Sequence, residues 1–294
     1  MRSCVTTALL TGVILFAYGT VAQAAIVWNG EGDGVNWSDP NNWDLDRVPN
    51  SADTVTLNNS TVSVAVADAV MDRFSNGGTV NIDNGGVLTG SHGYTLRYIT
   101  KINVNDGGLL PAGATWAIRS NVDVNAGGRM TGTHGIGTNE TRTLNVWGTF
   151  EPRGTSAAGA FSLGASASPN YDGRLYLKDG GTVVLDVFAT ASNEYFNVSG
   201  QDSGSVLDLS AGSIVLRPQA GYAVQIGDVF DLWEQPNANA VMNVGDGSNI
   251  SIEGSALTLD TSRWVGEGVV TVIPEPTGLA LIGLGGLFLR RRRR

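Results

Sequence analysis

The sequence of 294 residues is long enough for one extended β domain or for two ordinary domains. It holds 40 glycines, only 15% charged residues and a formal net charge of −9. Setting aside Arg2 and residues 290–294, which lie in terminal segments expected to be removed or membrane-associated, leaves 12 basic against 27 acidic residues. Because phosphate backbones are bound by clustered Lys and Arg, this charge balance disfavours nucleic acid as a partner.

The composition predicts an all-β protein. Gly, Val, Thr, Asn, Ser and Asp recur throughout and are typical of short strands joined by tight turns, whereas stretches with helical spacing are absent between the two terminal segments. The single cysteine, Cys4, lies near the N-terminus, so the rest of the chain has no disulfide, thiolate metal site or cysteine nucleophile. We therefore expect no metal and no other cofactor, and stability from packing and backbone pairing.

The N-terminal segment, 1–24, has the three parts of a secretory signal peptide. Arg2 supplies the positive charge, an apolar stretch covers 5–17, and Ala22-Gln23-Ala24 is a small-residue cleavage pattern. We predict that signal peptidase cuts after Ala24 and leaves Ala25 at the start of an exported protein. An uncleaved membrane anchor is the alternative, but the apolar stretch is short for a bilayer span.

The C-terminal residues 273–294 combine three features in a fixed order. The tripeptide Pro274-Glu275-Pro276 comes first, an apolar segment follows at 278–289, and arginines at 290–294 end the chain. The prolines exclude a helix or central strand, the apolar segment can enter a bilayer as a short helix, and the arginines hold its end on the cytoplasmic side. Because about 20 residues are needed to cross the hydrocarbon core, we expect a transient inner-membrane contact through 278–289.

This tail closely resembles the PEP-CTERM sorting signal of Gram-negative bacteria that make exopolysaccharide. The resemblance covers only the tail and rests on the tripeptide, the glycine-rich apolar segment and the basic cluster. It implies that an exosortase, a membrane-bound cysteine protease, recognises Pro274, Glu275 and Pro276 and cuts at or near them. It also implies release or attachment at the cell surface, with surface exopolysaccharide as a partner.

Between the two terminal segments the sequence repeats with a period of roughly 21 residues. Segment 80–93 aligns without gaps on 122–135 with seven of fourteen positions identical, and glycine pairs begin at 85, 107 and 127. An apolar-polar-apolar strand before a glycine turn predicts one rung of a right-handed parallel β-helix, or solenoid, in which the glycines serve turns that a side chain would obstruct. The predicted inward residues are Val80, Ile82, Ile102, Val104, Val122 and Val124.

The repeat pattern divides the chain into five segments. They are a signal peptide (1–24), a Trp-rich N-terminal β cap (25–70), the β-solenoid repeats (71–187), a C-terminal β region (188–272) and the sorting tail (273–294). The regular step is lost after Gly181, so we expect irregular final rungs or a small β cap in the C-terminal region. That region, through Leu207-Asp208-Leu209 and 227–232, is similar to the last part of autotransporter-like passenger repeats.

Three of the seven tryptophans, Trp28, Trp37 and Trp43, lie close together near the start of the expected mature chain. This opening resembles the tryptophan-rich start of the same class of surface proteins. Exposed rings could stack on sugars, as they do in carbohydrate-binding modules. The rings could instead close the open end of a solenoid, whose terminal rung would otherwise expose its core, and this second interpretation is favoured.

Two histidines and three aspartates are the other candidate site residues. His92 and His134 occupy matching positions two rungs apart, and at ~4.8 Å per strand they would be too distant to share a metal ion. Asp83, Asp106 and Asp179 lie just before glycine pairs, and acid and base carboxylates ~5 to 9.5 Å apart would suit a β-helix polysaccharide lyase or hydrolase. Asp before Gly is also ordinary turn chemistry, so we assign no catalytic residue.

These expectations favour a non-enzymatic structural protein of the cell envelope or extracellular matrix. The alternative is a carbohydrate-binding adhesin that uses the tryptophan-rich segment, and a polysaccharide lyase or hydrolase is less favoured. Clustered carboxylates in a groove would favour the enzyme, and a row of exposed tryptophans would favour the adhesin.

Overall fold

A computed structural model describes residues 25–90, 98–137, 141–152, 158–164, 172–199, 204–236 and 239–275, with the backbone alone for 112–118 and 134. Several predictions fall outside these residues: the signal segment with Ala22 and Ala24, Pro276, the apolar segment 278–289, and the side chains of His92 and His134. Within the described ranges, no helix has the length and apolar character needed to cross a membrane.

The described chain is mostly β, as the composition predicts. In chain order the strands are β1 (Ala25–Val27), β2 (Thr54–Thr56), β3 (Thr61–Val64), β4 (Ala69–Met71), β5 (Arg73–Asn76), β6 (Thr79–Ile82), β7 (Leu88–Gly90), β8 (Lys101–Val104), β9 (Leu109–Ile118), β10 (Asn121–Val124), β11 (Arg129–Ile136), β12 (Arg142–Val146), β13 (Thr149–Glu151), β14 (Gly159–Leu163), β15 (Gly173–Leu177), β16 (Thr182–Ala189), β17 (Ser192–Val198), β18 (Val206–Asp208), β19 (Ser213–Pro218), β20 (Val229–Asp231), β21 (Trp233–Glu234), β22 (Val241–Asn243), β23 (Ile250–Ile252), β24 (Thr258–Asp260) and β25 (Val269–Ile273). The described helices are a 3-10 turn, Pro40–Asn42, and the single-turn α1, Trp264–Glu267.

One parallel sheet of eight strands extends through most of the described chain. Its order is β22-β18-β15-β12-β10-β8-β6-β3, and neighbouring strands pair in register. Alternate residues point into the core, which is the period-2 pattern of a sheet with one buried face. The predicted inward residues are all fully buried: Val80, Ile82, Ile102, Val104, Val122 and Val124.

A second sheet of nine strands lies on the other side of this core. Its main order is β21-β17-β14-β11-β13-β16-β19-β23, with β9 paired to β11. The pairings are parallel except where β16 and β17 form an antiparallel hairpin. Phe150, Phe161 and Phe196 pack edge to face along it, with ring centroids 5.2 and 6.0 Å apart. Side chains of both sheets therefore share one hydrophobic core.

The glycine pairs form the turns that the repeat predicts, and the two glycines of a pair have different roles. Gly85, the first, has a φ of 77°, in the left-handed region that favours glycine. Gly86, the second, lies against the preceding repeat, because a Cβ there would be well under 3.0 Å from the Val64 carbonyl oxygen. That oxygen already accepts a hydrogen bond from the Asp83 backbone N–H at 2.9 Å.

The eight-stranded sheet begins earlier and ends later than the sequence repeat indicates. Paired residues are 22 positions apart from Val122 to Leu144 but 35 apart from Val206 to Val241. The later repeats are longer because two strands of the second sheet, such as β13 and β14, lie between successive strands of the first. The parallel register therefore continues past Gly181, and the boundaries drawn after residues 70 and 187 fall inside the sheet.

A small antiparallel sheet ends the described chain, in the order β20-β25-β24. Trp264 of α1 anchors it: the ring is fully buried, its Nε1 donates to the Val244 carbonyl at 2.8 Å, and it packs edge to face on Trp233. The C-terminal region thus contains both a small β sheet and the last parallel strands, β17, β18, β19, β21, β22 and β23.

Candidate functional site

The three N-terminal tryptophans are buried core residues. Trp28 is 4% exposed, and Trp37 and Trp43 are fully buried. Their rings pack edge to face, with Trp43 at 4.9 Å from Trp28 and at 5.0 Å from Trp37, and Trp43 Nε1 donates to the Trp37 carbonyl at 2.9 Å. A sugar stacks on an exposed ring face, so the prediction of carbohydrate contact through these residues is wrong.

The tryptophan-rich segment instead covers the open edge of β3, the terminal strand of the eight-stranded sheet. The backbone N–H of Trp37 donates to the Ser63 carbonyl at 2.8 Å, and the backbone N–H of Ser63 donates to the Val35 carbonyl at 2.9 Å. Asp33 fixes the loop, because its carboxylate accepts from the backbone N–H groups of Asn36 and Val35 at 2.8 and 2.9 Å. These bonds hold the pKa of Asp33 well below its usual range. The contacts support the cap interpretation, since an otherwise unpaired sheet edge is closed.

The three candidate aspartates do not form one cluster, because Asp83 and Asp106 follow the neighbouring strands β6 and β8, whereas Asp179 follows β15. Asp83 accepts hydrogen bonds from the Ser63 hydroxyl and from Asn105 Nδ2, the latter at 2.7 Å. Asp106 and Asp179 are exposed turn residues after β8 and β15, which are three strand steps apart, or about 14 Å. Within the described part of the chain, no group of three or more His, Cys, Asp and Glu side chains is placed to hold a metal ion.

The outer face of the eight-stranded sheet carries a continuous column of mostly amide and carboxylate side chains, which we call the amide column. Asn103 Nδ2 donates to Asn81 Oδ1 at 2.8 Å, and Asn145 Nδ2 donates to Asp123 Oδ1 at 2.8 Å. A side-chain amide has two N–H donors and two acceptor lone pairs, so each amide keeps capacity for a ligand or water. In register order the column is Ser63, Asn81, Asn103, Asp123, Asn145, Tyr176, Asp208 and Asn243.

A second column lies beside the first, at the position where each strand enters its turn. Asn105 Nδ2 donates to Asp83 Oδ1 and Asn125 Nδ2 donates to Asn105 Oδ1, both at 2.7 Å. The next two members are Trp147 and Lys178, whose backbone N–H groups bond to the preceding strand as those of Asn105 and Asn125 do. The short polar side chains of this second column are thus replaced by an aromatic ring, Trp147, after β12 and by a cation, Lys178, after β15.

Trp147, Tyr176 and Lys178 form a compact group that we call the aromatic step. Lys178 Nζ lies 4.4 Å from the centroid of the Tyr176 ring and 5.9 Å from that of Trp147. Such cation–π contacts position the ammonium against both rings. Trp147 is 36% exposed, whereas every other tryptophan with a described side chain is at most 7% exposed.

A cavity of about 460 Å³ lies between β17, β21 and α1. Tyr195, Trp233, Glu234 and Glu267 are among its lining residues. Two of its carboxylates have local partners: Glu234 accepts from Asn197, and Glu267 is ion-paired with an arginine one helical turn earlier. Trp233 is only 7% exposed, so its ring offers little surface to a ligand.

Two buried carboxylates, Glu151 and Asp186, form an ion-pair network with arginines on the nine-stranded sheet. Arg217 Nε donates to Asp186 Oδ1 at 2.6 Å, and Arg129 Nε donates to Glu151 Oε1 at 2.7 Å. An Arg217 terminal nitrogen lies 3.0 Å from Glu151 Oε2. Burial raises the pKa of Glu151, but the Arg129 hydrogen bond and the Arg217 charge outweigh it, so the pKa lies below its ordinary 4.5. The hydrogen bond to Asp186 raises the pKa of Arg217. These groups are a structural ion-pair network.

The predicted sorting motif begins directly after the last described strand. Strand β25 finishes at Ile273, Pro274 is half-buried and Glu275 is exposed. A protease that acts at this point would meet Glu275 exposed to solvent. Pro276 lies outside the described residues.

No family model matches this sequence, and no curated protein matches it. The PEP-CTERM resemblance of the tail therefore stays a prediction. Sequence reasoning missed the aromatic step, although one signal could have found it. Aligning the strand ends places Trp147 and Lys178 at the position that Asp83, Asn105 and Asn125 occupy in earlier repeats.

Proposed function

We propose that this protein is an exported structural protein of the cell envelope or extracellular matrix. Signal peptidase removes its N-terminal segment, an exosortase-like protease acts at Pro274-Glu275-Pro276, and the product associates with surface exopolysaccharide. The observation that carries the proposal is the position of this tripeptide, which starts directly after β25 with Glu275 exposed. The last described strand thus ends where the predicted sorting sequence begins.

The fold supports a structural role. The eight parallel strands stack over about 34 Å at ~4.8 Å per strand, and most of the outward side chains in the amide column are polar. Stacked repeats of this kind suit a right-handed β-solenoid, because crossover connections between parallel strands are right-handed in almost all proteins. The chain outside the signal segment has no cysteine, so no disulfide holds this body together.

One observation favours a carbohydrate-binding adhesin as the second candidate. The aromatic step presents an exposed indole beside a lysine, which is the chemistry expected of the alternative. The adhesin hypothesis thereby moves from the buried Trp28, Trp37 and Trp43 to Trp147 and Tyr176. The two candidates are compatible, since a matrix protein can also bind the polymer that surrounds it.

Intact mass and cell fractionation in the native host test the sorting proposal. We expect the wild type to lose residues 1–24 and the arginine tail and to reach the cell surface. A variant with Pro274, Glu275 and Pro276 replaced by alanine should keep its tail and remain in the inner membrane. Glu253→Ala, an exposed change in the folded body, is the matched control and should behave as wild type.

Two results would contradict this proposal. If the wild type retains its arginine tail in the membrane, the chain is simply anchored at its C-terminus. If the triple-alanine variant is trimmed and exported as the wild type is, the tripeptide does not direct processing.

A further inference from the structure

The exposed indole of Trp147 is an anomaly that the fold itself does not require. The other tryptophans with described side chains fill the core, and the equivalent position in two earlier repeats holds Asn105 or Asn125. An asparagine there bonds to the side chain on the preceding strand, as Asn125 Nδ2 does to Asn105 Oδ1 at 2.7 Å. An indole that is 36% exposed offers part of a ring face on which a ligand can stack.

The neighbours of Trp147 offer what a sugar chain requires. The two rings of the aromatic step supply apolar faces, and Lys178 supplies hydrogen-bond donors held against them. The amide column beside them, with Asn145 next to Tyr176, supplies donors and acceptors for hydroxyl groups. Members of the amide column recur at the strand spacing of ~4.8 Å, so a glycan that runs along the column meets one at each strand.

The negative charge of the protein favours a neutral polymer over an anionic one. The protein is acidic overall, with 27 acidic against 18 basic residues. Asp208 follows Tyr176 in the amide column, and Asp179 is exposed on the turn next to Lys178. Lys178 is engaged with both rings, so an anionic polysaccharide would meet net repulsion at this surface.

The geometry points to a binding site for a neutral polysaccharide on the aromatic step, with the glycan running along the amide column. Trp147 and Tyr176 stack on sugar rings, Lys178 donates to a hydroxyl or ring oxygen, and the column amides hold the adjoining units. This site rests on the proposed function and deepens it, because it names the class of polymer that a matrix protein of this shape would hold.

Affinity electrophoresis of the protein purified from its host tests the site. The gels contain hydroxyethyl cellulose, glucomannan or xylan as neutral polymers, and alginate as the anionic comparison. The variants are Trp147→Ala, Tyr176→Ala and Trp147→Asn, the last of which carries the residue of the earlier repeats and keeps the column polar. Ile226→Ala is the matched control, because Ile226 is an apolar side chain that is 60% exposed elsewhere.

We expect at least one neutral polymer to retard the wild type and Ile226→Ala equally, and the apparent affinity of the other variants to fall about tenfold or more. Circular dichroism should show all variants folded, and bound polymer should protect the wild type from acrylamide quenching of its exposed indole. The site is refuted if no neutral polymer retards the wild type, if Trp147→Asn binds as tightly as the wild type, or if alginate is preferred. Such a failure leaves the sorting result untouched, since that result depends on residues 274–276.

Discussion

The second glycine of a repeat turn is the position where one added methyl group should be most harmful. Gly86 has an ordinary backbone conformation, but its Cβ would lie well under 3.0 Å from the Val64 carbonyl oxygen. To restore van der Waals contact the two repeats would have to separate by roughly 1 Å. The hydrogen bond of 2.9 Å from Asp83 N–H to that oxygen would then be lost.

The expected loss of stability in Gly86→Ala combines the cost of the lost hydrogen bond with the cost of the steric clash. A lost backbone hydrogen bond costs about 1 kcal/mol, and forcing an extra methyl group into a packed site costs about 1–3 kcal/mol. We therefore expect Gly86→Ala to lower the free energy of unfolding by about 2–4 kcal/mol. Gly85→Ala should cost only about 1–2 kcal/mol, because Gly85 has a positive φ but open space around it.

Urea unfolding followed by far-ultraviolet circular dichroism measures the difference. Gly266→Ala is the control, since Gly266 has open space and no positive φ, and it should change stability by less than about 0.5 kcal/mol. The unfolding slope should stay constant across the series, so that shifts in midpoint report stability. If Gly85→Ala costs as much as Gly86→Ala, close approach between repeats is not what requires the second glycine.

Three further changes test the core, the buried charges and the outer face. Trp43→Ala should lower the free energy of unfolding in urea by about 3–5 kcal/mol, because the ring is fully buried. Leu45→Ala, at a side chain 47% exposed, should lower it little. Equal losses of stability in the two variants would contradict the cap interpretation. Because the folded pKa of Glu151 is lowered, its stabilisation is present above the unfolded pKa and is lost as pH falls below about 4.5. Melting temperatures from pH 7 to 3 should fall less steeply in Glu151→Gln, and parallel curves would refute this. Asn105→Ala removes two ladder hydrogen bonds and should cost about 1–2 kcal/mol in urea, whereas an unchanged midpoint would mean that the ladder is not stabilising.

Local pattern is sufficient to predict the strands that precede a glycine pair. Val80 and Ile82 alternate with polar residues, and that alternation fixes which face is buried once a sheet forms. The glycine turns are predictable for the same reason, because backbone conformation and close approach both exclude a side chain. Strand β3 belongs to the same sheet but is not predicted by this pattern, because no glycine pair follows Val62 and Val64.

The later strands and the outer face depend on information that a fixed period does not carry. More residues separate β15 from β18 than separate the early strands, because β16 and β17 lie between them. A search for the shorter period of the early repeats therefore misses β18, although Leu175 and Leu207 are paired in the sheet. The burial of Trp37 depends on Phe74, a contact made only by the folded chain, with ring centroids 6.4 Å apart. The aromatic step joins side chains at the ends of β12 and β15, which are well separated in the sequence, and their proximity follows from register alone.

The position of strand β25 determines how the protein resists a pulling force applied at its C-terminal end. It lies between β20 and β24, both antiparallel to it, and the chain leaves for the tail directly from its last residue, Ile273. Tension on the tail acts along the strand axis, whereas the interstrand hydrogen bonds are perpendicular to that axis. The bonds on both sides of β25 are then loaded in shear and share the force, instead of opening one after another as they would in peeling. A pull from the C-terminus therefore meets resistance at the small terminal sheet before it reaches the parallel stack.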